Sequence, residues 1–482
     1  MKRRHFLTLA AAGATSSLVA PSPWKRLNAA TPVQQIVAGK TRLNIAGADQ
    51  PDTDLWLYNQ SCPGPMLRYR KGDMLRAEVQ NNLDVATTIH WHGIRNLNEM
   101  DGVANLTQAL IEPGESFAYE FPLNDSGTYW YHAHNMGWEQ VARGLYGPLI
   151  IDDDQDPEVD HDLCLMIDDW RLDNDGQIDQ ASLGGLHDWS HGGRLGNWLT
   201  INGKSAPEFW VKDKARIRLR LISAANARVM TFQLTNASAT LIALDGAFCQ
   251  PEQVTEITLA PAQRADVIVD MDRASIEIAE ISTGEPYPAA TVLVDPALGP
   301  SSLSKTPINT PKPAALPPLN NLRRIPIHMQ GGAMGNLQKA MFEGEKLSLR
   351  ELAQKHKKLW AFNGQIGDYS TLFAEIDQNE LISLDVYNDT AWRHAMHLHG
   401  HHFWVMSDDP TLALPLSQRD TWLMQPQERI SLVFKADNPG LWLFHCHMLE
   451  HAASGMGAVL SIDWPHTQVC SHFKPFWPAA AY

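Results

Sequence analysis

Four short histidine pairs are the residues whose types and spacing most directly indicate chemistry. Two pairs lie early in the chain, in His90-Trp91-His92-Gly93 and His132-Ala133-His134, and two lie late, in His397-Leu398-His399-Gly400 and His445-Cys446-His447. Successive side chains of a β-strand point to opposite faces, so histidines separated by one residue present both imidazoles to the same face. One such pair is a weak signal, but two pairs repeated late in the chain predict a metal site.

A second group of metal-binding residue types surrounds the last pair. Cys446 lies between its two histidines, so on a strand its thiol points to the opposite face, and His394 is likewise out of phase with His397. His451 and Met456 follow the cysteine by five and ten residues. Two imidazoles, a thiolate and a thioether are typical of a blue-copper electron-transfer site. Zinc is the alternative metal for imidazoles, but one thiolate beside a methionine is a poor zinc set.

The other face of the late strands has its counterpart in the early strands. Together these faces carry eight imidazoles, those of His90, His92, His132, His134, His397, His399, His445 and His447. Eight imidazoles that meet between two related domains can hold a copper cluster. The peptide at Cys446 would then connect this cluster covalently to the blue-copper site.

An internal repeat predicts the elements that position these residues. A turn followed by a strand of period two recurs three times, beginning near Asn59, Asn202 and Asn363. Thirty prolines and 32 glycines supply turns between many short strands. The sequence therefore predicts an all-β chain of three tandem sandwiches. Their predicted ranges are residues 31–155, 156–295 and 323–482, with a proline-rich linker at 296–322. The second sandwich has no histidines at the matching positions and is predicted to be a spacer.

Residues 1–30 have the features of an export signal. Lys2-Arg3-Arg4 precedes a mildly apolar run from Thr8 to Ala20. The adjacent arginines are similar to those of twin-arginine signals, which implies the twin-arginine translocation machinery as a partner and a periplasmic location. No other stretch approaches the roughly 18 apolar residues that a membrane span requires.

The composition excludes several classes of protein. Of 482 residues, 44% are hydrophobic and 19% are charged, which argues against a disordered chain. The formal net charge of −15 argues against nucleic-acid binding, which favours a basic surface. Twenty histidines beside five cysteines favour a metal site over a disulfide scaffold.

The combined pattern resembles that of the multicopper oxidases, the family of laccases, ascorbate oxidase and bacterial cuprous oxidases. The resemblance covers essentially the whole chain after residue 30, and it implies three cupredoxin-like Greek-key β-sandwich domains and four copper ions. It implies a type 1 copper held by His394, Cys446, His451 and Met456, and a type 2 copper held by His90 and His397. It also implies a type 3 pair, with one copper on His92, His132 and His447 and the other on His134, His399 and His445.

Acidic residues near these positions are candidates for proton transfer. The position of Asp101 is similar to that of the family's acidic residue near the cluster, and we predict that it relays protons. The alternative is a solvated aspartate in a turn before glycine. Several bacterial relatives carry a glutamate directly after the second type 1 histidine. Here Ala452 stands at that position and Glu450 precedes His451, which leaves a second carboxylate relay open.

Other histidines and cysteines have simpler interpretations. His401 and His402 are predicted to be the polar end of a strand, although His402 shares the parity of His394. His187 and His191 are predicted to lie in a glycine-rich loop, with a role in donor binding or metal entry as the alternative. Four cysteines can either pair or remain free thiols: Cys62, Cys164, Cys249 and Cys470.

The resemblance implies an enzyme that oxidises a donor and reduces dioxygen to water. Only Met329, Met334 and Met341 occur where cuprous oxidases often carry a methionine-rich insert. We therefore predict a laccase-like oxidase, expected to be a monomer, whose partners are dioxygen and a phenol, aromatic amine or metal ion. The alternatives are a periplasmic cuprous or metal-ion oxidase and a non-catalytic scaffold, which would be expected to have lost ligands.

Overall fold

The structure is a computed structural model that describes residues 32–409 and 417–463. The predicted export signal and Cys470 lie outside these ranges. Strands dominate the described chain and form paired sheets, which confirms the predicted all-β fold. None of the helices in the described ranges has the length and apolarity needed to cross a membrane.

Two four-stranded sheets form the first sandwich, in the orders β2-β1-β4-β6 and β3-β8-β7-β5. The strands are β1 (Gln34–Leu43), β2 (Thr53–Tyr58), β3 (Leu67–Arg70), β4 (Met74–Asn81), β5 (Ile89–His92), β6 (Ser116–Pro122), β7 (Gly127–Ala133) and β8 (Tyr146–Asp152). A 3-10 turn (Asn98–Met100) and the short helix α1 (Gly137–Gln140) connect strands at the end that carries the histidines. In β4, Leu75, Ala77 and Val79 are buried whereas Glu78 and Gln80 are exposed, as the period of two predicts.

The second sandwich has sheets of six and five strands, in the orders β10-β9-β12-β17-β14-β15 and β11-β19-β18-β13-β16. The strands are β9 (His161–Trp170), β10 (Trp198–Ile201), β11 (Glu208–Val211), β12 (Arg216–Ser223), β13 (Met230–Thr235), β14 (Ala239–Leu244), β15 (Ala247–Val254), β16 (Glu256–Leu259), β17 (Arg264–Asp270), β18 (Ser275–Glu280) and β19 (Tyr287–Val294). The helix α2 (Leu186–Ser190) and two 3-10 turns, Gln180–Ser182 and Pro296–Leu298, complete this unit.

The third sandwich has two five-stranded sheets, in the orders β23-β20-β25-β29-β27 and β24-β31-β30-β26-β28, beside the hairpin β21-β22. The strands are β20 (Arg323–Gly331), β21 (Lys339–Phe342), β22 (Glu345–Ser348), β23 (Trp360–Phe362), β24 (Leu372–Ile376), β25 (Leu381–Asn388), β26 (His394–Leu398), β27 (Trp404–Met406), β28 (Thr421–Met424), β29 (Arg429–Lys435), β30 (Gly440–Cys446) and β31 (Gly457–Ile462). The helices are α3 (Leu349–His356) and α4 (Leu449–Ala453).

The same parallel strand pairs recur in each sandwich. β1 pairs with β4, β9 with β12 and β20 with β25, all in parallel. A second parallel pair joins β3 to β8, β11 to β19 and β24 to β31. Parallel neighbours require long crossover connections rather than tight hairpins, which is consistent with Greek-key rather than meander topology. The recurrence is the structural counterpart of the repeat in the sequence.

The sandwiches pack on one another through buried apolar side chains. One shared core includes Leu57 and Trp130 of the first sandwich, Trp170 and Ile222 of the second, and Leu449 of the third. Burial of a large apolar side chain contributes about 1.5–3 kcal/mol, so a core of this kind favours one relative placement of the three units. That placement brings the first and third sandwiches together at their histidine-bearing ends.

Candidate metal centres

Two antiparallel strand pairs position the histidine pairs. In the first sandwich, β5 pairs with β7 so that His90 lies opposite His132. In the third sandwich, β26 pairs with β30 so that His397 lies opposite His445. Directly opposed residues have Cβ atoms about 4.5–5.5 Å apart, so each pairing places two imidazoles side by side.

These two faces meet and form the imidazole cluster, which we define as the eight histidines of the four pairs. The rings interleave across the boundary between the first and third sandwiches. His90 stacks on His399 with 3.9 Å between ring centroids, and His92 stacks on His397 with 3.8 Å. Each sandwich alone therefore holds only half of the cluster.

Ring nitrogens converge inside the cluster. Nε2 of His132 lies 3.3 Å from Nε2 of His447, and Nε2 of His399 lies 3.0 Å from Nε2 of His445. The partly buried His134 belongs to one group with His399 and His445, whose ligand atoms all lie within 4.8 Å of one another. Neighbouring groups join His90 to His92 and His132, and His90 to His397 and His399. The structure thus brings together all eight histidines that the sequence singled out.

Carbonyl oxygens fix the outer nitrogen of two rings. Nδ1 of His132 donates to the Ala133 carbonyl at 3.0 Å, and Nδ1 of His445 donates to the Cys446 carbonyl at 2.8 Å. Because a carbonyl oxygen can only accept, these Nδ1 atoms carry the ring proton. The Nε2 atoms therefore keep their lone pairs for the cluster.

Asp101 is fully buried beside the cluster, so the alternative of a solvated turn residue is wrong. Its carbonyl accepts a hydrogen bond from His90 Nδ1 at 2.8 Å, and its Oδ2 accepts one from His399 Nδ1 at 2.8 Å. Its Oδ1 has no hydrogen-bond partner among the described residues, although His90 Nδ1 lies 3.3 Å away. Asp101 therefore orients one ring from each sandwich and keeps one carboxylate oxygen unpaired.

The donor set fits a group of copper ions. Four buried ring nitrogens have no hydrogen-bond partner within the described part of the chain: His90 Nε2, His92 Nδ1, His397 Nε2 and His447 Nδ1. Unpaired buried polar atoms are costly unless a ligand satisfies them. Burial lowers the pKa of His92, His397 and His447 well below the usual range, and that of His445 to about 4. The rings are therefore neutral, which is the form that binds metal.

The opposite side of β26 and β30 carries the thiol centre, which we define as His394, Cys446, His451 and Met456. The Nδ1 atoms of His394 and His451 lie 3.0 Å apart, and they lie 3.6 and 3.7 Å from Cys446 Sγ. Met456 is fully buried, and its carbonyl accepts a hydrogen bond from the Cys446 amide at 3.1 Å. Burial raises the pKa of the Cys446 thiol to about 12, so a bound cation is needed to hold it as a thiolate.

The outer nitrogens of this centre contact two different sandwiches. Nε2 of His394 lies 2.9 Å from Thr390 Oγ1 within the third sandwich. Nε2 of His451 donates to the carbonyl of His191 at 2.7 Å. Since His191 follows α2, a segment of the second sandwich covers the outer edge of His451.

Two buried charged residues at the cluster were missed in the sequence analysis. Asp420 Oδ1 accepts a hydrogen bond from His92 Nε2 at 3.2 Å, and the Asp420 carbonyl accepts one from His397 Nδ1 at 2.8 Å. Arg264 of the second sandwich donates to both Asp420 carboxylate oxygens, at 2.8 and 2.6 Å. Arg264 begins β17 and Asp420 directly precedes β28, and no motif in the sequence marked either residue.

The remaining candidates contact other parts of the molecule. His402 Nε2 donates to the Gly93 carbonyl at 2.7 Å, and His401 is buried, which lowers its pKa to about 3. Glu450 is buried, and its Oε1 accepts a hydrogen bond from Asn226 Nδ2 of the second sandwich at 2.8 Å. The three other described cysteines are free thiols: Cys62, Cys164 and Cys249.

Gly102, the residue after Asp101, is expected to tolerate no side chain. Its φ is +85°, and a Cβ there would overlap the Ile89 carbonyl beside His90. We expect Gly102→Ala to lower the free energy of unfolding by about 3 kcal/mol or more, because backbone strain adds to the steric clash. Gly72→Ala is the matched control, since φ is +89° there and nothing lies within 4 Å of the added Cβ. We expect the control to lower the free energy of unfolding by only about 1 kcal/mol, as measured by urea unfolding. Equal losses of stability in the Gly102 and Gly72 variants would contradict the packing argument.

The chain is similar to known proteins in both sequence and fold. Three models of the multicopper oxidase family match residues 40–156, 161–277 and 344–464. The multicopper oxidase MmcO of Mycobacterium tuberculosis is 30% identical over 93% of this chain and 91% of its own length. Laccase-1 of Cryptococcus neoformans is 27% identical over 87% of this chain and 78% of its own length. A crystal structure of a multi-copper oxidase from Pseudomonas thermotolerans has a TM-score of 0.77 and 27% identity, and the match covers 89% of this chain and 99% of that one.

Proposed function

Because this chain belongs to the multicopper oxidase family, we propose that it oxidises a small aromatic donor and reduces dioxygen to water, as a laccase does. The observation that carries the proposal is the tripeptide His445-Cys446-His447. Its thiol lies in the thiol centre while its two imidazoles lie in the imidazole cluster. A donor site and an oxygen site are thereby connected by three consecutive residues.

The proposed copper ligands are those that the resemblance implies. The type 1 copper would be held by His394, Cys446, His451 and Met456, and the type 2 copper by His90 and His397. The type 3 coppers would be held by His92, His132 and His447, and by His134, His399 and His445. When bound, copper supplies one-electron oxidation of the donor and four-electron reduction of dioxygen. The unpaired buried ring nitrogens and the soft donor set of the thiol centre support this assignment.

Asp101 is the proposed proton relay. Its Oδ2 is occupied by His399, whereas Oδ1 is buried and unpaired among the described residues, so Oδ1 is the atom that would hold a proton for oxygen reduction. We expect Asp101→Asn to slow reoxidation by dioxygen about 100-fold or more, the usual contribution of a general acid. Reduction by the donor under anaerobic conditions should be unchanged in stopped-flow measurements. Equal slowing of both half-reactions would argue against the relay.

The donor is proposed to bind over His451. The stacked rings of His187 and His191 have centroids 4.1 Å apart, and the Trp392 ring lies edge-on to His191 at 5.1 Å. His187 is exposed, so an aromatic ring can stack beside this group. The His191 carbonyl then connects the surface to His451 Nε2. These contacts support a planar aromatic donor.

Replacing Trp392 tests this donor surface. We expect Trp392→Ala to raise the KM for a phenol about 2- to 10-fold, because an aromatic contact contributes about 0.5–1.5 kcal/mol. Turnover of a small inorganic electron donor should change little. Trp210→Ala is the control, since Trp210 is 52% exposed on β11 of the second sandwich. An unchanged KM for the phenol in the Trp392 variant would place the donor elsewhere.

A metal-ion oxidase is the second candidate function. Met334 is 76% exposed, and its neighbour Ala333 donates a backbone hydrogen bond to the Ser190 carbonyl at the same surface. An exposed thioether is a ligand for soft ions such as Cu(I). A non-catalytic scaffold is disfavoured, because all ten histidines and the cysteine of the proposed centres are present.

Oxygen uptake by the copper-loaded protein tests the function directly. We expect uptake with a simple phenol and no accumulation of peroxide, since four electrons per dioxygen yield water. Uptake with Cu(I) but not with a phenol would establish the metal-ion oxidase instead. Absence of uptake with both donors, from protein loaded at both centres, would contradict an oxidase.

We also propose that the chain is exported and that it acts as a monomer. The arginines in Lys2-Arg3-Arg4 and the following apolar run support twin-arginine export to the periplasm. Both proposed centres are completed within one chain, which supports a monomer as the active unit. Lysine substitution of Arg3 and Arg4 should retain the protein in the cytoplasm of the expressing cell, as measured by fractionation.

A further inference from the structure

One fully buried arginine of the second sandwich reaches the imidazole cluster. Arg264 begins β17 and has no exposed surface. Its Nε donates to the carbonyl of Thr128 in the first sandwich at 3.0 Å. Its Nη1 and Nη2 donate to the carboxylate of Asp420 in the third sandwich at 2.8 and 2.6 Å. A single side chain therefore joins all three sandwiches beside the cluster.

Asp420 connects this arginine to two rings of the cluster. Its Oδ1 accepts from His92 Nε2 at 3.2 Å, and its carbonyl accepts from His397 Nδ1 at 2.8 Å. Because a carboxylate can only accept, Nε2 of His92 carries the proton and Nδ1 keeps the lone pair. Nδ1 of His92 is buried and has no partner among the residues that the structure describes. Asp420 thus helps to hold the proton on Nε2 of His92 and to leave Nδ1 free.

His92 differs in this respect from other rings of the cluster. His132 and His445 donate from Nδ1 to backbone carbonyls and leave Nε2 free. In His92 the assignment is reversed, and the acceptors that impose the reversal are the Asp420 carboxylate and the Thr421 hydroxyl, whose Oγ1 also lies 3.2 Å from His92 Nε2 and itself donates to Asp420 Oδ1 at 2.8 Å. A buried carboxylate at that position requires a compensating charge, which Arg264 supplies through two parallel hydrogen bonds.

Gly93 provides an independent indication of how closely this pair approaches His92. The residue follows His92 directly, has a φ of +81°, and would place a Cβ 2.5 Å from both Arg264 Nη2 and Asp420 Oδ2. The glycine of the His-Trp-His-Gly motif is therefore required by the arginine of another sandwich. The motif contains space for the ion pair as well as two imidazoles.

We propose that Arg264 is a positioning residue for the imidazole cluster, and that through Asp420 it fixes the ring nitrogen and orientation that His92 presents to metal. The second sandwich is then part of the metal-binding machinery rather than only a spacer. The proposal relies on the proposed function only for the identity of the metal as copper. It concerns metal binding, so it can be tested without measuring oxidase activity.

The test compares Arg264→Met and Asp420→Asn with Arg218→Met in the full-length copper-loaded protein. Arg218 is a matched control because it is equally buried on the neighbouring strand β12 and pairs with Asp266 and Asp156 instead of Asp420. Copper per chain is measured by mass spectrometry, and the visible absorption of the copper–thiolate bond reports the thiol centre as an internal reference. The free energy of unfolding is measured in urea for each variant.

We expect the Arg264 and Asp420 variants to keep the copper–thiolate absorption but to bind copper at the cluster about 10- to 100-fold more weakly. The Arg218 variant should lose stability without changing the ratio of total copper to thiolate-bound copper. A wild-type ratio in both test variants, or a proportional loss of all copper in all three variants, would overturn the proposal.

If Arg264→Met does not fold, Arg264→Lys decides, because it keeps the charge and loses the paired hydrogen bonds. A wild-type ratio in Arg264→Lys and in Asp420→Asn would also overturn the proposal. Wild-type protein that binds copper at both centres but takes up no oxygen would refute the proposed function alone.

Discussion

Cys446→Ser is expected to abolish donor oxidation while leaving the fold intact. Serine has nearly the shape of cysteine, but its hydroxyl does not ionise to a soft ligand, so the thiol centre loses the atom that lies 3.6 and 3.7 Å from its two imidazoles. Loss of partners outside the ligand shell costs 10- to 100-fold, so loss of a ligand should lower donor oxidation by more than about 100-fold. Steady-state oxygen uptake with a phenol measures the effect.

Cys164→Ser is the control for Cys446→Ser, because Cys164 is a second buried thiol. Cys164 is buried in the core shared by the three sandwiches and is a free cysteine. Cys164→Ser should keep both copper content and activity. Cys446→Ser should bind about one copper ion fewer per chain, because the histidines of the imidazole cluster remain. Wild-type turnover in Cys446→Ser would show that electrons enter by a different route.

Acid is expected to destabilise the metal-free protein steeply between about pH 6.5 and pH 4. Burial lowers the pKa of His445 and His451 to about 4 in the folded chain, whereas unfolded histidines titrate at 6.5. Within this interval the unfolded state binds more protons, so the free energy of unfolding falls as the pH falls, by about 1.4 kcal/mol per pH unit for each such histidine. The stabilisation is complete above pH 6.5. The pKa is lowered in the same direction for six other buried histidines of the two centres: His92, His132, His394, His397, His399 and His447.

Urea unfolding at several pH values measures this dependence. Five carboxyl groups oppose the trend, because burial raises their pKa and their protonation in the folded state stabilises the fold in acid: Glu450, whose pKa rises to about 7, and Asp168, Asp169, Asp245 and Glu428. They are fewer than the histidines of the two centres, whose pKa values shift the other way. Copper binds the neutral imidazoles, so the loaded protein should unfold at a lower pH than the metal-free protein. Constant stability of the metal-free protein from pH 7.5 to pH 5 would contradict the burial of these rings as neutral groups.

Much of the fold was predictable because its information is local. The period of two in β4 predicted which side chains are buried, and the repeated turns predicted a repeated topology. Ser348 and Glu351 have the spacing of a capping box, and both of its reciprocal hydrogen bonds are present at the start of α3. The exact ranges of the three sandwiches and of the linker stay predictions. Such features follow from alternation and capping, which depend on neighbours in the sequence.

The sequence by itself determined the residue types of both centres, because strand parity separates Cys446 from His445 and His447 without any knowledge of packing. Tertiary structure decided which groups surround them. Asp101 became buried, His191 came to cover His451, and Arg264 reached Asp420 across 156 positions. These contacts join different sandwiches. The partner of a buried charged residue lies far away along the chain, so the neighbouring sequence does not show that the residue is buried. The candidate ligands could therefore be proposed from periodicity, whereas the residues that orient them depend on how the three sandwiches pack.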